Sequence, residues 1–214
     1  MLGSDMDETA VTVSAVETVG PDTIAITFET PAGFDAEPGQ FVLVRATVDG
    51  EELSRYYTLS SPGVDDTFEI TVGVDPEGDL SPWLADREVG DDVTIEGPFG
   101  EVYYENEPSV VVVAGGPGVG PAVGLGEAVA SDGGEVSIVY RDDEPAHEER
   151  LSALATSGSN VAIVGEGSLA DAVAEVADEG QVYVFGFQEF VEDVRDAIEA
   201  AGGDFERAKV ESFG

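Results

Sequence analysis

Short runs in which apolar and polar residues alternate dominate the first half of the chain. In Gln40–Val48, for example, Val42, Val44 and Ala46 occupy alternate positions, and Pro-Gly, Asp-Gly and Glu-Gly pairs separate such runs from one another. Alternation with frequent turn residues is typical of antiparallel strands. The pattern therefore predicts an antiparallel, Greek-key β-barrel rather than a parallel sheet. The predicted elements are strands Thr9–Thr18, Thr23–Glu29, Gln40–Val48, Tyr56–Ser60, Thr67–Val74 and Asp91–Glu96, and one short helix, Ser81–Ala85, capped by Ser81.

The second half follows a different pattern from residue 109 onward. Val110–Ala114 is a continuous apolar run, as expected for a strand buried on both faces. Strands and helices then alternate to the end, which predicts a doubly wound, five-stranded parallel sheet. The sequence thus predicts two domains, residues 9–107 and 108–214, and a capping box of Ser168 and Asp171. After Val110–Ala114 the predicted elements are a helix from Pro121, strand Val136–Tyr140, helix Glu148–Thr156, strand Val161–Val164, helix Leu169–Asp178, strand Val182–Phe185, helix Glu189–Ala201 and a strand at Ala208–Ser212.

Charge is the most unusual feature of the composition. The 214 residues include 46 acidic and 8 basic side chains, a net charge of −38, with Lys209 as the single lysine and no cysteine. This charge would repel nucleic acid, and the lack of cysteine excludes disulfides, thiolate nucleophiles and Cys-based metal sites. Molar salt shortens the screening length to about 3 Å, so the composition predicts a salt-adapted, halophilic protein. No apolar run suits a membrane span and the acidic N-terminus is unlike a signal peptide, so a cytoplasmic location is expected.

A glycine-rich turn follows the first predicted parallel strand and opens a helix. Glycines at such a turn let backbone N–H groups approach a diphosphate, and the helix N-terminus adds a partial positive charge. A tight turn without a ligand is the alternative. The candidate residues are Gly115, Gly116, Pro117, Gly118, Val119, Gly120 and Pro121.

Two further features lie at the carboxyl edge of this predicted sheet, where such sheets bind ligands. Asp142 and Asp143 are placed to hydrogen-bond a ribose diol and to repel a 2′-phosphate, unless they are ordinary acidic loop residues. Arg141 beside them could serve a phosphate. The aromatic residues Phe185 and Phe187 either wall a nicotinamide pocket or pack in the core.

The segment Arg55–Ser60 combines side chains that suit a nucleotide-like cofactor. Its arginine supplies charge for a diphosphate, its tyrosines supply flat rings for stacking, and its hydroxyl groups supply small hydrogen-bond donors. A cross-strand tyrosine ladder is the alternative. The candidate residues are Arg55, Tyr56, Tyr57, Thr58, Leu59 and Ser60, with a second diphosphate-binding segment at Gly78, Asp79, Leu80 and Ser81.

Five motifs in order resemble those of the ferredoxin–NADP⁺ reductase family of flavoproteins. Each is weak alone, and their common order and spacing over about residues 9–214 carry the resemblance. They are Arg55-x-Tyr57-Thr58 for the family's R-x-Y-[S/T] flavin motif, Gly78-x-x-Ser81 for its G-x-x-S diphosphate motif, Gly97-Pro98-Phe99-Gly100 for its G-P-x-G turn, Gly115-Gly116-x-Gly118-x-x-Pro121 for its nicotinamide-nucleotide loop, and Val182–Gly186 with Glu211-Ser212-Phe213-Gly214 for its last two strands.

The resemblance implies FAD and NAD(P)H as cofactors, with hydride passing from the nicotinamide to the flavin. It implies that Arg55 binds the FAD diphosphate, that Tyr57 stacks on the isoalloxazine ring and that Thr58 hydrogen-bonds flavin N5. Tyr57 and Thr58 are therefore the expected catalytic residues. Gly78–Ser81 would hold the FAD diphosphate, and Gly115–Pro121 that of NAD(P). The remaining implied cofactor contacts are Phe185, Gly186 and Phe213.

Departures from the family's pattern leave more than one function open. Pro117 stands where many members have threonine, and Phe185-Gly186-Phe187 stands where many have Cys-Gly-Pro. The leading expectation is an FAD-dependent NAD(P)H oxidoreductase that passes single electrons to a carrier such as ferredoxin or flavodoxin. NADH is the expected donor, because residues 156–181 hold no Arg or Lys for a 2′-phosphate. The alternatives are a flavin-binding relay subunit that does not use nicotinamide efficiently, and a cofactor-free interaction module.

The single histidine is not assigned a function. His147 lies among acidic residues before a predicted helix, so a solvated surface position is expected. No metal-ligand set and no Ser–His–Asp triad can be assembled around it. The sequence therefore predicts no metal site.

Overall fold

Six antiparallel strands of the first half enclose one apolar core. The computed structural model describes residues 8–213, and its first sheet has the strand order β4-β3-β6-β1-β2-β5. The chain that leaves β4 meets β5, because Leu59 bridges Ile70 and the Ser60 N–H donates to the Glu69 carbonyl at 2.8 Å. The sheet thereby closes into the predicted barrel. Its strands are β1 (Thr9–Gly20), β2 (Thr23–Glu29), β3 (Phe41–Val48), β4 (Glu51–Thr58), β5 (Thr67–Gly73) and β6 (Asp92–Phe99).

A short helix, α1 (Leu80–Ala85), packs against β3 and β4 and buries Leu80 and Leu84. It begins one residue earlier than predicted, and Ser81 is not its cap. The Ser81 hydroxyl instead accepts a hydrogen bond from the Asp75 N–H at 3.1 Å. The prediction failed because the turn before the helix competes for the same hydroxyl.

The second half forms a parallel sheet with helices on both faces, as predicted. The strand order is β11-β10-β7-β8-β9, and every neighbouring pair is parallel. Helices α2 and α3 cover one face and helices α4 and α5 cover the other. The elements are β7 (Ser109–Gly115), α2 (Val119–Ser131), β8 (Glu135–Arg141), α3 (Glu148–Ser157), β9 (Asn160–Val164), α4 (Leu169–Val176), β10 (Gln181–Gly186), α5 (Gln188–Ala200) and β11 (Lys209–Ser212).

One detail of the second half differs from expectation. Ser168 stands at the N-cap of α4 without a side-chain capping bond, so the predicted capping box does not form.

The chain passes from one sheet to the other between Phe99 and Ser109. The division into domains at residue 107 stays a prediction.

The single lysine ties this connection to the parallel sheet. Lys209 Nζ donates to Glu107 Oε1 at 2.6 Å and to Glu105 Oε2 at 2.7 Å, and it lies 3.0 Å from the Tyr183 hydroxyl. Burial alone would lower the pKa of Lys209, but these hydrogen bonds outweigh it and raise the pKa. The ammonium is therefore a fixed charge at the base of β11.

The two sheets meet along a seam in which glycines of α2 contact the barrel. A Cβ at Gly120 would lie 2.7 Å from the side chain of Thr71, and a Cβ at Gly124 would lie 2.7 Å from the Ser60 carbonyl oxygen. Both distances are shorter than Cβ atoms tolerate, so only glycine lets α2 approach this closely.

His147 lies in this seam, which corrects the expected surface position. The residue is 3% exposed, and its Nε2 is 2.8 Å from Thr71 Oγ1. Burial, together with the nearby charge of Arg150, lowers the pKa of His147 from 6.5 to about 4. The acidic neighbours in sequence misled the prediction, because the start of α3 turns this one side chain toward the barrel.

Across residues 8–213, no helix combines the length and the apolar character that a membrane span needs. The same residues contain no cluster of three or more His, Cys, Asp or Glu side chains arranged to hold a metal ion.

Candidate functional site

Arg55 and Tyr57 share one face of β4, the strand at one end of the first sheet. In the pairing with β3, Arg55 lies opposite Val44 and Tyr57 lies opposite Val42. Arg55 is exposed, and within residues 8–213 it enters no salt bridge or side-chain hydrogen bond. The chain is strongly acidic, so an arginine without a carboxylate partner is unusual here. Five other arginines do have such partners: Arg45, Arg87, Arg141, Arg150 and Arg195.

Tyr57 and Thr58, two and three residues after this arginine, provide a ring and a hydroxyl. Tyr57 is half-buried against the barrel core, and burial raises the pKa of its phenol to about 12, so the ring stays neutral. Thr58 ends β4 and is 8% exposed. A free guanidinium beside a neutral, partly covered ring fits a cofactor that carries both a diphosphate and a planar ring system.

Three other residues of the predicted flavin segment direct their side chains elsewhere. Tyr56 points to the opposite face of β4, where it is 63% exposed and packs edge-on against Phe41 at 5.2 Å. Leu59 is buried in the barrel core, and the Ser60 hydroxyl donates to Glu69 Oε1 at 2.6 Å. The structure therefore corrects the expectation for the side chains of Leu59 and Ser60, which are buried in other contacts. Tyr56 lies on the other face of β4 from Arg55 and Tyr57, and its contact with a cofactor stays a prediction.

The predicted diphosphate segment Gly78–Ser81 leads into α1. Gly78 closes a turn by donating its N–H to the Asp75 carbonyl at 3.0 Å, and Asp79 is exposed. The first N–H groups of a helix have no intrahelical acceptor, so those of α1 are available to an oxyanion. Because α1 packs against β4, this segment lies on the same side of the barrel as Arg55.

The glycine-rich loop divides into an accessible part and a buried part. Gly116 has a φ of +54° with open space around its Cα, and Pro117 is partly exposed. Gly118 is buried, and a Cβ there would lie 2.2 Å from the Phe185 carbonyl oxygen. Gly120 faces the barrel across the seam. The accessible part is thus Gly116 and Pro117, while Gly118, Val119, Gly120 and Pro121 are buried.

A cavity of about 320 Å³ opens at the carboxyl edge of the parallel sheet beside this loop. Arg141 donates to Asp193 at 2.6 Å and its guanidinium lies 4.7 Å from the centre of the Phe190 ring. The one positive charge that lines the cavity is therefore already neutralised. The lining residues are Gly115, Gly116, Arg141, Asp142, Asp143, Phe187, Glu189 and Phe190.

The aromatic residues at the end of β10 do not all face this cavity. Phe185 is 0% exposed and stacks on Tyr183, so its ring belongs to the core and the expectation that it walls the pocket is corrected. Phe187 lines the cavity, is 54% exposed, and meets Phe213 edge-on at 6.0 Å. At position 186, between Phe185 and Phe187 in the chain, only glycine fits, because a Cβ there would lie 2.4 Å from the Phe190 ring.

Two residues of α5 at this edge were not singled out from the sequence, and Glu211 of β11 was named only as part of the resemblance to the family's last strand. Glu189 and Phe190 line the cavity because α5 begins directly after β10. Glu211 lies opposite Phe185 on β11, and burial raises the pKa of its carboxyl. The signal that could have found the first two is their place in the turn after a strand that ends at the ligand-binding edge.

Comparison with known proteins matches most of the first half to an FAD-binding domain. Residues 10–104 match the family model described as the oxidoreductase FAD-binding domain. The chain is 36% identical over 113 residues to the glycine betaine monooxygenase reductase subunit of Chromohalobacter salexigens, which covers 51% of this chain and 31% of that protein. It is 34% identical over 111 residues to NADH-cytochrome b5 reductase 1 of Candida glabrata, which covers 48% of this chain and 38% of that protein.

The whole fold is shared with a solved structure. The FAD/NAD-binding domain of nitric oxide dioxygenase from Vibrio cholerae superposes with a TM-score of 0.84 and 24% sequence identity, covering 97% of this chain and 99% of that one. The curated relatives are longer proteins, and the match spans about a third of their length.

Proposed function

We propose that the chain is a ferredoxin reductase-like flavoprotein that moves electrons from NAD(P)H through FAD to a one-electron carrier protein. The match of residues 10–104 to an oxidoreductase FAD-binding domain supports this. One observation carries the proposal. The segment that follows the flavin motif contacts the helix that follows the glycine loop, since Gly124 of α2 lies against the Ser60 carbonyl. Two cofactor sites joined this closely suit direct transfer of hydride between them.

FAD, when bound, accepts a hydride and releases electrons one at a time. The guanidinium of Arg55, which has no salt-bridge partner among residues 8–213, would hold its diphosphate together with the segment Gly78–Ser81, where the first N–H groups of α1 are those of Leu80 and Ser81. Tyr57 would lie against the flavin ring as a neutral phenol, and Thr58 would hydrogen-bond the ring edge. These residues bind and orient the cofactor, and Tyr57 and Thr58 are the ones proposed to touch its reacting part.

The cavity beside the glycine loop is proposed to hold the nicotinamide nucleotide. Gly116 would let the backbone approach the nucleotide diphosphate, and Phe187 with Phe213 would cover the nicotinamide end. Asp142, Asp143 and Glu189 make the remaining polar lining acidic, which favours a ribose diol over a 2′-phosphate. NADH is therefore the proposed donor, in keeping with the relative named as an NADH-dependent reductase.

A carrier protein is the proposed electron acceptor. Both curated relatives are named as reductases, one of them as the reductase subunit of a monooxygenase. A ferredoxin or flavodoxin fits the single-electron chemistry of a flavin. Because the chain carries a net charge of −38, it would repel an acidic carrier, and docking would need salt to screen this repulsion.

A second function is favoured by the glycine loop itself. Pro117 removes one backbone N–H from the accessible part of the loop, which leaves fewer donors for a nucleotide diphosphate. On this ground the alternative is a flavin-binding relay subunit that receives electrons within a larger complex and uses nicotinamide poorly.

An anaerobic absorbance titration separates these functions. The FAD-loaded chain in molar KCl is titrated with NADH and then with NADPH. Bleaching of the flavin absorbance by NADH is expected for the oxidoreductase. Absorbance that persists with both nucleotides but bleaches with dithionite would favour the relay subunit. A chain that retains no FAD after incubation with it would contradict both.

A further inference from the structure

Arg150 joins both halves of the molecule at the point where the two candidate cofactor sites meet. It lies in the first turn of α3, and its guanidinium reaches across the seam. Its Nη1 donates to Glu69 Oε1 of β5 at 2.8 Å, and one Nη2 bond goes to the Ser60 carbonyl at 2.6 Å. Its Nε and Nη2 also donate to the two carboxylate oxygens of Glu127 on α2, at 2.8 and 2.7 Å.

The arrangement is more buried and closer than the exposed ion pair of Arg195 and Glu206. The Arg150 side chain is about a quarter exposed, and the partners Glu69 and Glu127 are similarly covered. Burial alone would lower the pKa of Arg150, but the hydrogen bonds and charges of Glu127 and Glu69 raise it. Without the arginine, two partly buried carboxylates from opposite halves would lose their shared countercharge, which is costly. Only a planar, five-donor group satisfies all three acceptors at once.

Each partner of Arg150 connects directly to one of the cofactor segments. Ser60 lies two residues beyond Thr58, and its hydroxyl binds the same Glu69 oxygen that Arg150 contacts. Glu127 lies on α2, the helix that begins at Val119, just after the accessible part of the glycine loop, Gly116 and Pro117. A helix transmits a displacement along its axis because its backbone is rigid. The position of Glu127 therefore determines where the loop stands relative to Thr58.

We infer that Arg150 is a positioning residue for hydride transfer. The fork of its guanidinium, that is, its hydrogen bonds to Ser60, Glu69 and Glu127, fixes the distance between the glycine loop at the start of α2 and the end of β4. Arg150 contacts neither proposed cofactor site itself and acts through Ser60 and Glu127. The inference rests on the proposed function, since it concerns the distance between the two sites that function requires. The rate of hydride transfer depends strongly on this distance, because a displacement of the reacting groups by about 1 Å can lower the rate about 10²-fold.

The test compares Arg150→Gln and Arg150→Lys with Arg195→Gln as a charge-matched control. Arg195 forms a long ion pair with Glu206, remote from the seam, at 3.8 Å. The first readout needs no cofactor: hydrogen exchange of the apo chain, read at residues 58–61 and 116–121. Both Arg150 variants are expected to exchange faster than wild type in these two segments, and Arg195→Gln is expected to match wild type.

The second readout is stopped-flow reduction of the FAD-loaded chain by NADH. The reduction rate constant is expected to fall about 10²-fold in Arg150→Gln, with FAD affinity within about twofold of wild type. Arg150→Lys keeps the charge but loses the fork, so it is expected to remain slow. Wild-type rates in Arg150→Lys, or unchanged exchange and rate in Arg150→Gln, would overturn the inference.

Two further outcomes are separated by the same experiment. If Arg150→Gln does not fold, Glu127→Gln replaces it in the test. The amide keeps the shape of the side chain and one hydrogen-bond acceptor for Arg150 but removes the negative charge. An unchanged rate of flavin reduction in Glu127→Gln also overturns the inference. If wild type itself is not reduced by NADH or NADPH, the proposed function fails. In that case faster exchange in the Arg150 variants would support the link between the segments and a normal exchange pattern would reject it.

Discussion

The two candidate cofactor sites offer a ligand different parts of the chain. The barrel site offers side chains: among residues 8–213 Arg55 has no carboxylate partner, and Tyr57 is half-buried beside it. The site at the parallel sheet offers mainly backbone, where Gly116 takes a left-handed conformation with open space around it. The side chains there, such as Asp143, are mostly acidic. On the proposed function, the first site would attract a diphosphate by charge, and the second would bind it through backbone N–H groups.

The placement of positive charge makes the same distinction. With 46 acidic side chains against 8 basic ones, most cations are taken up by neighbouring carboxylates. Arg141, the cation at the second site, is paired with Asp193, whereas Arg55 is left without a partner among the described residues. Removing a positive charge should therefore weaken ligand binding at the first site, and restricting the backbone should weaken it at the second.

The largest effect is expected from Arg55→Ala at the barrel. A charge-assisted hydrogen bond to a diphosphate is worth about 1.5–3 kcal/mol, so the FAD dissociation constant should rise about 10- to 100-fold. Flavin fluorescence titration of the apo chain measures it. Arg207→Ala is the control, because Arg207 is also exposed and, in the part of the chain described, enters no salt bridge. Equal FAD affinity in wild type and Arg55→Ala would remove Arg55 from the site.

The seam between the two sites offers the next largest effect, on stability at acid pH. The folded chain keeps His147 neutral with a pKa of about 4, whereas the unfolded chain protonates it below about pH 6.5. Acid therefore favours unfolding, and wild type should lose about 1–2 kcal/mol more than His147→Gln between pH 7 and pH 5. Urea unfolding in molar KCl measures this difference. Parallel pH profiles for the two proteins would show that His147 is not held neutral.

Most of the fold could be predicted from the sequence because each element carries a local pattern. The exceptions occur where tertiary contacts decide. The prediction placed β4 at Tyr56–Ser60, but the strand is Glu51–Thr58, since an exposed edge strand shows no apolar alternation. His147 is buried by Thr71, which is 76 residues away and leaves no local sign.

The candidate site at the barrel, which consists of side chains, was easier to predict than the site at the parallel sheet, which consists mainly of backbone. Arg55 and Tyr57 stand out as residue types, and their common face follows from strand alternation. The Gly115–Pro121 loop stood out as a composition, but glycine content does not separate Gly116, which is accessible, from Gly120, which packs in the seam. Arg150 had no signal at all, because its partners come from three separate segments.

A smaller effect is expected from Gly116→Ala at the second site. The left-handed φ of +54° costs a residue with a Cβ about 1 kcal/mol, so the loop should shift and the KM for NADH should rise severalfold while FAD binding stays unchanged. Gly202→Ala is the matched control, because Gly202 has a φ of +85° and equally open space but lies far along the chain after α5. Steady-state kinetics with ferricyanide as acceptor measures the KM. An equal change in both variants would attribute the effect to strain alone.

The smallest effect is expected from Asp143→Asn, which tests whether acidity at the second site selects the nucleotide. Removing one exposed carboxylate from the cavity should raise kcat/KM for NADPH about two- to fivefold, because exposed charge interactions are worth less than about 1 kcal/mol. The value for NADH should stay within error. Asp178→Asn, an exposed acid at the end of α4, controls for net charge. The gain should shrink as KCl rises toward molar concentration, since screening weakens the repulsion that the variant removes. A gain that is equal for both nucleotides, or that does not depend on salt, would mean that the 2′-phosphate does not approach Asp143.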